Sequence, residues 1–399
     1  MKGSAFLLIS LSTAQLIGAN TKCAPEPPAT CYPDDCCRTY CLGPTNEGIS
    51  PAVRPYTYNG DWVITAAGLY WNAHMDGMEY AVDTKVNNSN SFNRANLIDA
   101  EYKNPDFKWD FGFKFGIGYN TTCDGWDIGV VWTRYHGRAS SHDEAEKDDN
   151  HTLLPLWSSF AVNPGDEPVD LPDAPLFATD IETQWNLKLN LVDIELGREF
   201  WNSKRLTIRP HVGLRIVSIE QEFDIEHKGG SWTFEEVDYN TDLQQNGNSI
   251  SQNNEVDLEN DFKGVGIRAG LDTVWNFGCG WAIYGNTAFS IIYGRFHIEH
   301  DETNREAASP FTKTKILDSE ESFRASRFIA DLALGVQWSS LFCDCKYGFA
   351  VKLGWENHIF LDQNQLWRVN PKVEIINIFN QRRGTLDTQG WTLTFVFDF

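Results

Sequence analysis

The chain has 399 residues and a formal net charge of −22, with 13% aromatic residues. The acidic charge argues against nucleic-acid binding, because phosphate contacts need a basic surface. No interior segment offers the about 20 consecutive apolar residues of a membrane-spanning helix. The 15 Trp and 25 Phe against only 3 Met favour a β-rich protein over a helical bundle.

The N-terminal segment 1–19 has the pattern of a secretory signal peptide. Lys2 precedes an apolar stretch from Ala5 to Ile9, and the segment ends in the small residues Gly18 and Ala19. This pattern predicts export, with cleavage after Ala19. An N-terminal core helix is the alternative, although the segment is short and has no amphipathic face.

A strict alternation of apolar and polar residues is clearest at 107–119. Phe107, Trp109, Phe111 and Phe113 are apolar, whereas the positions between them are Lys, Asp and Gly. A period of two predicts a β-strand with one apolar face. The same pattern recurs in chain order at 61–71, 126–133, 185–200, 206–216, 265–275, 281–295, 328–338, 349–356 and 391–399.

The composition of the two strand faces distinguishes a membrane barrel from a soluble sandwich. The apolar face often begins or ends in an aromatic residue, as in the girdles at bilayer interfaces. The other face carries Arg, Lys and Asp in mid-strand, which a dry sandwich core would not tolerate. We therefore predict an all-β fold, an antiparallel transmembrane β-barrel, with a soluble sandwich as the alternative. The expected interface residues are Trp71, Trp109, Trp126, Trp132, Trp275, Trp281, Trp338, Trp355 and Trp391.

The predicted connections alternate between short and long, as periplasmic turns and outer loops do. The count is ten strands, an even number, with both termini periplasmic. Further strands at 78–85 or 373–379 would come in pairs and raise the count to 12–16. The predicted domains are the signal peptide 1–19, a Cys-rich periplasmic segment 20–59 and the barrel 60–399. The predicted long connections are 75–106, 140–182, 227–260, 298–322 and 361–389.

Acidic residues concentrate in three segments, 141–181, 220–261 and 299–321. Solvation of exposed outer loops explains this distribution. The alternative is a carboxylate rim that favours cations, or that binds divalent ions bridging lipopolysaccharide phosphates.

The side chains on the polar face of each predicted strand are expected to line the barrel lumen. Basic residues at a constriction would filter anions or organic acids. The alternative is that they pair with acids and fill a narrow barrel. Glu356 shares its parity with His358, but no Ser or Asp at a fixed spacing completes a hydrolytic set, so neither an enzyme nor a cofactor or metal is predicted. The predicted lumen residues are Lys114, Arg209, His211, Arg215, Arg268, Asp272 and Glu356.

The nine cysteines fall on the predicted periplasmic side. Their spacing lacks two Cys-x2-Cys pairs, which argues against zinc, and export to an oxidising compartment favours disulfides. An odd count leaves at least one thiol free or paired with another molecule. The disulfide candidates are Cys23, Cys31, Cys36, Cys37, Cys41, Cys123, Cys279, Cys343 and Cys345.

Several stretches resemble the Legionella-type major outer-membrane protein family. They include Gly60-Asp61-Trp62-Val63-Ile64, Leu196-Gly197-Arg198-Glu199-Phe200, Ile208-Arg209-Pro210-His211-Val212-Gly213 and Gly266-Ile267-Arg268-Ala269-Gly270-Leu271-Asp272. The resemblance runs from Asp61 to Phe399 and implies a pore-forming outer-membrane barrel. The segment Cys36-Cys37-Arg38-Thr39-Tyr40-Cys41 resembles the chlamydial branch of these proteins, which implies an envelope held by disulfides.

Phe399 closes the last alternating strand and resembles the signal that the barrel-assembly machinery reads. Its deletion is expected to abolish membrane insertion while leaving secretion intact.

The predicted function is that of a porin in the bacterial outer membrane, which lets small hydrophilic solutes diffuse passively. A second predicted role is that of a disulfide-linked envelope component. The expected partners are outer-membrane lipid and lipopolysaccharide, the assembly machinery, and other envelope proteins or further copies of the chain. The alternative is a closed barrel that serves as a structural coat, or as an adhesin through acidic loops.

Overall fold

The alternating segments form β-strands, and most of these belong to one large sheet. The computed structural model describes residues 50–55, 60–85, 99–122, 124–145, 151–158, 178–229, 252–306, 309–343, 346–371 and 377–399. No helix within these residues is long and apolar enough to cross a membrane. The strands are β1 (Asp61–Met75), β2 (Ala81–Lys85), β3 (Glu101–Lys103), β4 (Trp109–Asn120), β5 (Trp126–Glu144), β6 (His151–Pro155), β7 (Asp180–Arg198), β8 (Phe200–Trp201), β9 (Leu206–Lys228), β10 (Gln252–Gly278), β11 (Trp281–Glu306), β12 (Lys313–Phe342), β13 (Tyr347–Asn364), β14 (Trp367–Pro371), β15 (Asn377–Gln381) and β16 (Gly384–Asp398).

Ten of these strands form a closed antiparallel ring, in the order β10-β11-β12-β13-β16-β1-β4-β5-β7-β9, and β9 pairs with β10 to complete it. The predicted antiparallel barrel and its ten strands are therefore confirmed. β2 and β15 lie in the segments that were candidates for further strands. They pair in small separate sheets, with β3 and β6 in one and β14 in the other, and do not enlarge the ring.

The two ends of the barrel chain meet at one seam. The Trp62 amide donates to the Phe399 carbonyl at 2.7 Å, and the Phe399 amide donates to the Trp62 carbonyl at 2.9 Å. From there β1 and β16 run antiparallel in continuous register, from Val63 opposite Asp398 to Met75 opposite Leu386. The seam begins at the end of the barrel that carries the short connections, which we call the short-turn rim. The opposite end is the long-connection rim.

The outside of the ring carries an apolar band. On β11, Trp281, Ile283, Phe289, Ile291 and Tyr293 are exposed, whereas the alternate side chains are buried. Trp281 and Tyr293 are twelve residues apart. At about 3.3 Å per residue and a tilt near 45°, this length covers about 28 Å of membrane thickness. The band therefore matches the hydrocarbon core of a bilayer, with an aromatic residue at each edge on this strand.

The polarity of the two faces inverts toward the long-connection rim. On β10 the exposed side chains change from Val265 and Ile267 to Asp257 and Glu259, while the buried ones change to Val256 and Leu258. β9 does the same beyond Ile216. The barrel thus continues past the apolar band as a sheet with an acidic outside and an apolar inside.

This inversion corrects the predicted limits of the long connections. The predicted connection 227–260 is strand at both ends, since β9 runs to Lys228 and β10 starts at Gln252. The predicted connection 298–322 is mostly strand, since β11 ends at Glu306 and β12 begins at Lys313. The alternation of period two persists through these segments, but the apolar residues change parity. A pattern read in one fixed phase therefore ends the strands too early.

Candidate functional site in the barrel lumen

Arg215 lies at the centre of a charged cluster inside the ring. Its Nε and Nη2 donate to the two carboxylate oxygens of Asp193 on β7 at 2.6 and 2.8 Å. Its Nη1 lies 2.8 Å from Asp331 on β12. Since β10 and β11 separate β9 from β12 in the ring, this contact crosses the interior. The Arg215 side chain is only 2% exposed, so its charge is balanced by two carboxylates in a nearly dry environment.

Arg268 on β10 links this cluster to a second group of acids. Its Nη2 lies 3.2 Å from Asp331, and its Nη1 donates to Glu195 on β7. The Asp331 carboxylate also accepts a hydrogen bond from His358 Nδ1 at 2.8 Å. One carboxylate therefore receives Arg215, Arg268 and His358 from three different strands.

Arg209 holds the acids nearest the short-turn rim. Its guanidinium donates to Asp127 at 2.6 Å and to Asp272 at 2.8 Å, and lies 3.3 Å from Glu195. His211 lies between the same groups, 3.6 Å from Glu195 and 3.7 Å from Asp272. The predicted residues Arg209, His211 and Asp272 thus share one set of contacts.

Lys114 and Glu356 form the other end of the network. Lys114 on β4 donates to Glu356 on β13, although β1 and β16 lie between these strands. Glu356 lies 3.3 Å from His358 Nε2, which joins the pair to Asp331. The Lys114 ammonium also lies 5.1 Å from the centre of the Trp71 ring. Ion pairs therefore connect all seven predicted lumen residues.

Five further members of this network were not among the predicted lumen residues, although His358 was noted for sharing the parity of Glu356. Asp127, Asp193, Glu195, Asp331 and His358 stand on the polar parity of their strands, so the same alternation would have selected them. Only the three-dimensional pairing shows which acid meets which base. His358 was considered as part of a hydrolytic pair, and its described contacts are instead ionic ones within the network.

Exposure falls along the barrel axis. The side chains of Asp272 and Arg209 are 26% and 19% exposed, whereas those of Arg215 and Asp331 are 2% and 7% exposed. The end of the network toward the short-turn rim is therefore partly exposed, whereas its middle around Arg215 and Asp331 is buried. We call the partly exposed end the vestibule; it is bordered by Asp127, Glu195, Arg209 and Asp272.

Beyond the charged network, an apolar core closes the barrel toward the long-connection rim. We call the outer core the buried group formed by Trp157, Phe223, Val256, Leu258, Phe262 and Phe296 with their neighbours. The rings of Phe262 and Phe296 lie 4.5 Å apart, and Trp157 meets Phe223 edge-on at 6.2 Å.

Long connections are fixed into this core by a three-part contact. The Trp157 indole donates to the Glu79 carbonyl at 2.8 Å, and the Arg368 guanidinium lies 4.9 Å from the Trp157 ring centre. Arg368 also pairs with the Glu79 carboxylate at 2.7 Å. Glu79, Trp157 and Arg368 come from three different connections between ring strands, so the contact ties these connections together inside the barrel.

Most of the expected interface tryptophans stand on the outer face, but Trp71 does not. Trp71 is fully buried inside the ring and donates to the Thr392 hydroxyl at 3.1 Å. It stands on the inward parity of β1, where the exposed aromatic residues are Trp62 and Tyr70. The prediction for Trp71 was therefore wrong, because an indole can also serve as packing around a buried charge.

The structure describes two of the nine cysteines. Cys279 and Cys343 lie in exposed turns at the short-turn rim as free thiols. The other seven, Cys23, Cys31, Cys36, Cys37, Cys41, Cys123 and Cys345, and the predicted signal peptide lie outside the described residues. Disulfide cross-linking and the chlamydial likeness therefore stay predictions.

This chain is similar to a protein family and to solved structures that include two outer-membrane proteins. The crystal structure of the outer-membrane protease OmpT from Escherichia coli covers 86% of this chain and 97% of its own, with 10% identity and a TM-score of 0.33. A mutant of the monoaromatic hydrocarbon channel TodX covers 89% of this chain and 94% of its own, with 7% identity and a TM-score of 0.26. No curated protein matches. The model of a family described as the Legionella pneumophila major outer membrane protein precursor matches residues 55–399, and the chain therefore belongs to this family of bacterial outer-membrane proteins.

Proposed function

We propose that the protein is a pore-forming barrel that passes small hydrophilic solutes across the outer membrane, and that the described conformation is its closed state. This proposal rests on the vestibule. Asp272 and Arg209 keep part of their surface open to solvent at a depth where the outside of the barrel is apolar. A solvent-accessible charged space inside a membrane-embedded ring provides a path for ions and polar solutes.

Two barriers stand in this path. The first is the dry group of Arg215, Asp193 and Asp331, and the second is the outer core around Trp157. Passage requires the long connections to leave the outer core and the ion pairs to exchange partners. The contact of Trp157 with Arg368 and Glu79 holds three of those connections together.

Single-channel recording of the refolded full chain in planar bilayers tests this proposal. Wild-type protein is expected to show infrequent ohmic steps, and Trp157→Ala is expected to open more often because the outer core loses its central ring. Trp281→Ala is the matched control, since Trp281 is exposed on the outer face at the short-turn rim. The reversal potential in a salt gradient reports whether the acidic outside or the basic lumen residues set ion selectivity.

A closed barrel that serves as a structural coat or an adhesin is the second candidate function. The outer core and the dry Arg215 group favour it, because together they close the lumen. Silence from both wild-type protein and Trp157→Ala, shown to be folded and inserted, would contradict the pore and leave this candidate. Neither function requires a catalytic residue or a cofactor, and disulfide links to other envelope proteins are compatible with both.

A further inference from the structure

A row of cationic side chains crosses three adjacent strands at the edge of the apolar band that faces the long-connection rim. Lys263 on β10 stands opposite Arg295 on β11, and Arg295 stands opposite Arg324 on β12. All three side chains are exposed on the outer face. Each lies one outward-facing position beyond the last apolar or small residue of its strand, next to Val265, Tyr293 and Ser326.

This arrangement is electrostatically unfavourable without an anion. Neighbouring strands are about 4.8 Å apart, and like charges directly opposite each other destabilise a sheet. Lys263 has Glu220 at 3.1 Å. For Arg295 and Arg324 no carboxylate lies within ion-pair distance among the described residues. Two acids farther out on β11 pair with other groups: Glu299 lies 2.7 Å from His297, and Asp301 lies 3.0 Å from Lys315.

The edge of the apolar band that faces the long-connection rim also carries basic residues on β5 and β7, on the side of β9 away from β10. Arg134 and His136 follow the exposed Trp132 on the outer face of β5, and His136 stands opposite Lys188 on β7. Among the described residues, Arg134 and Lys188 also lack an ion-paired carboxylate. We call the basic belt the six residues Arg134, His136, Lys188, Lys263, Arg295 and Arg324. The belt is distinctive because the chain as a whole has a net charge of −22.

The surface directly below the belt fits acyl chains. Ile291, Tyr293 and Phe328 are exposed there, and the ring of Phe328 stacks on that of Phe289 at 5.8 Å. A ligand that satisfies the whole surface has an anionic head at the level of the belt and apolar tails along the band. Because the long-connection rim of an outer-membrane barrel faces outward, the belt lies at the headgroups of the outer leaflet.

We propose that the basic belt binds the phosphate groups of a phosphorylated glycolipid of the outer leaflet, the lipopolysaccharide, with Arg295 and Arg324 at its centre. The guanidinium groups match phosphate oxygens in geometry and charge, so one phosphate relieves the repulsion between two arginines. This inference does not depend on whether the barrel conducts.

Binding of lipopolysaccharide to the refolded full chain in detergent micelles tests the proposal, with native mass spectrometry to count bound glycolipid. Arg295→Gln with Arg324→Gln is expected to weaken binding at least about tenfold, since two charge-assisted contacts are lost. Wild-type protein is expected to bind dephosphorylated glycolipid as weakly as this double variant binds the phosphorylated form.

The matched control is Lys204→Gln with Arg205→Gln, which removes two exposed positive charges at the short-turn rim. It is expected to bind like wild type, and a heat-dependent shift of mobility on gels verifies that each variant is folded. Undiminished binding by the arginine variant contradicts the proposal. Equal loss in the control, equal binding of dephosphorylated glycolipid, or displacement by an equimolar amount of inorganic phosphate also contradicts it.

Discussion

Single charged residues in this barrel owe their position to the partners around them. Arg215 is nearly dry, and a guanidinium in that environment is stable only because Asp193 accepts its hydrogen bonds and Asp331 forms a second ion pair with it. The parity of β9 predicts that Arg215 points inward. It does not predict the partners, because both acids come from other strands and one of them lies across the ring.

Replacing Arg215 by Met removes the hydrogen-bonding cation of the buried Asp193 and one of the cations that contact Asp331. We expect the free energy of unfolding to fall by about 3–5 kcal/mol. Adding Asp193→Leu is expected to recover part of this loss, because Asp331 keeps Arg268 and His358. Guanidinium unfolding in lipid vesicles measures both, with the exposed Arg205→Met as the control. A single variant as stable as wild type would show that the cluster contributes little.

His227, which is buried beyond the apolar band, makes the free energy of unfolding depend on pH. Burial lowers the pKa of His227 to about 4, against the opposing effect of its bond with Asn254. In the unfolded chain the pKa is about 6.5, so between pH 6.5 and 4 only the unfolded state binds the proton. The free energy of unfolding therefore falls by about 3 kcal/mol as the pH decreases through this window.

The variant His227→Gln isolates this contribution. Asp224, whose pKa is raised to about 6 by burial and by Glu222, Asp257 and Glu259, acts in the opposite direction in both proteins. The difference in unfolding free energy between wild type and variant is thus expected to shrink as the pH falls from 6.5 to 4. A difference that is constant over this range would exclude a buried neutral His227.

At the scale of the strand, the change of parity explains where sequence-based prediction succeeded. On β4 the exposed residues keep one parity, as in Phe111 and Phe113, and the predicted strand 107–119 is close to the observed bounds Trp109–Asn120. On β9 to β12 the outer ends were missed. There the solvent changes from lipid to water, and the side of the sheet that must be apolar changes with it.

Two substitutions on the outer face of β10 test this change of solvent. Leu271→Arg lies in the apolar band and is expected to destabilise the folded barrel by about 2–4 kcal/mol, since the charge faces lipid. Glu259→Arg lies on the same face beyond the band, among acids, and is expected to stay within about 0.5 kcal/mol of wild type. Refolding yield and unfolding free energy in vesicles measure both. Equal effects would mean that the membrane boundary is placed wrongly.

The whole molecule combines a membrane-spanning polar interior with a folded apolar interior beyond the membrane. The number of strands in the ring follows from counting alternating segments, because each long strand must be paired on both sides in lipid. The outer core does not follow from such a count. Trp157 and Arg368 lie in segments without alternation, and they meet only because the ring brings their connections together.

The seam between Trp62 and Phe399 has a consequence for biogenesis. The first and last strands of the ring are neighbours, so the contact that closes the barrel joins residues separated by nearly the whole chain. Such a contact closes the longest loop in the ring and forms only after β16 has been synthesised. Until then β1 and β16 expose unpaired backbone groups, which are costly in lipid and prone to pairing with other chains. We therefore expect closure of the ring to be a late step in the folding of this protein, with the edges of β1 and β16 protected until they pair.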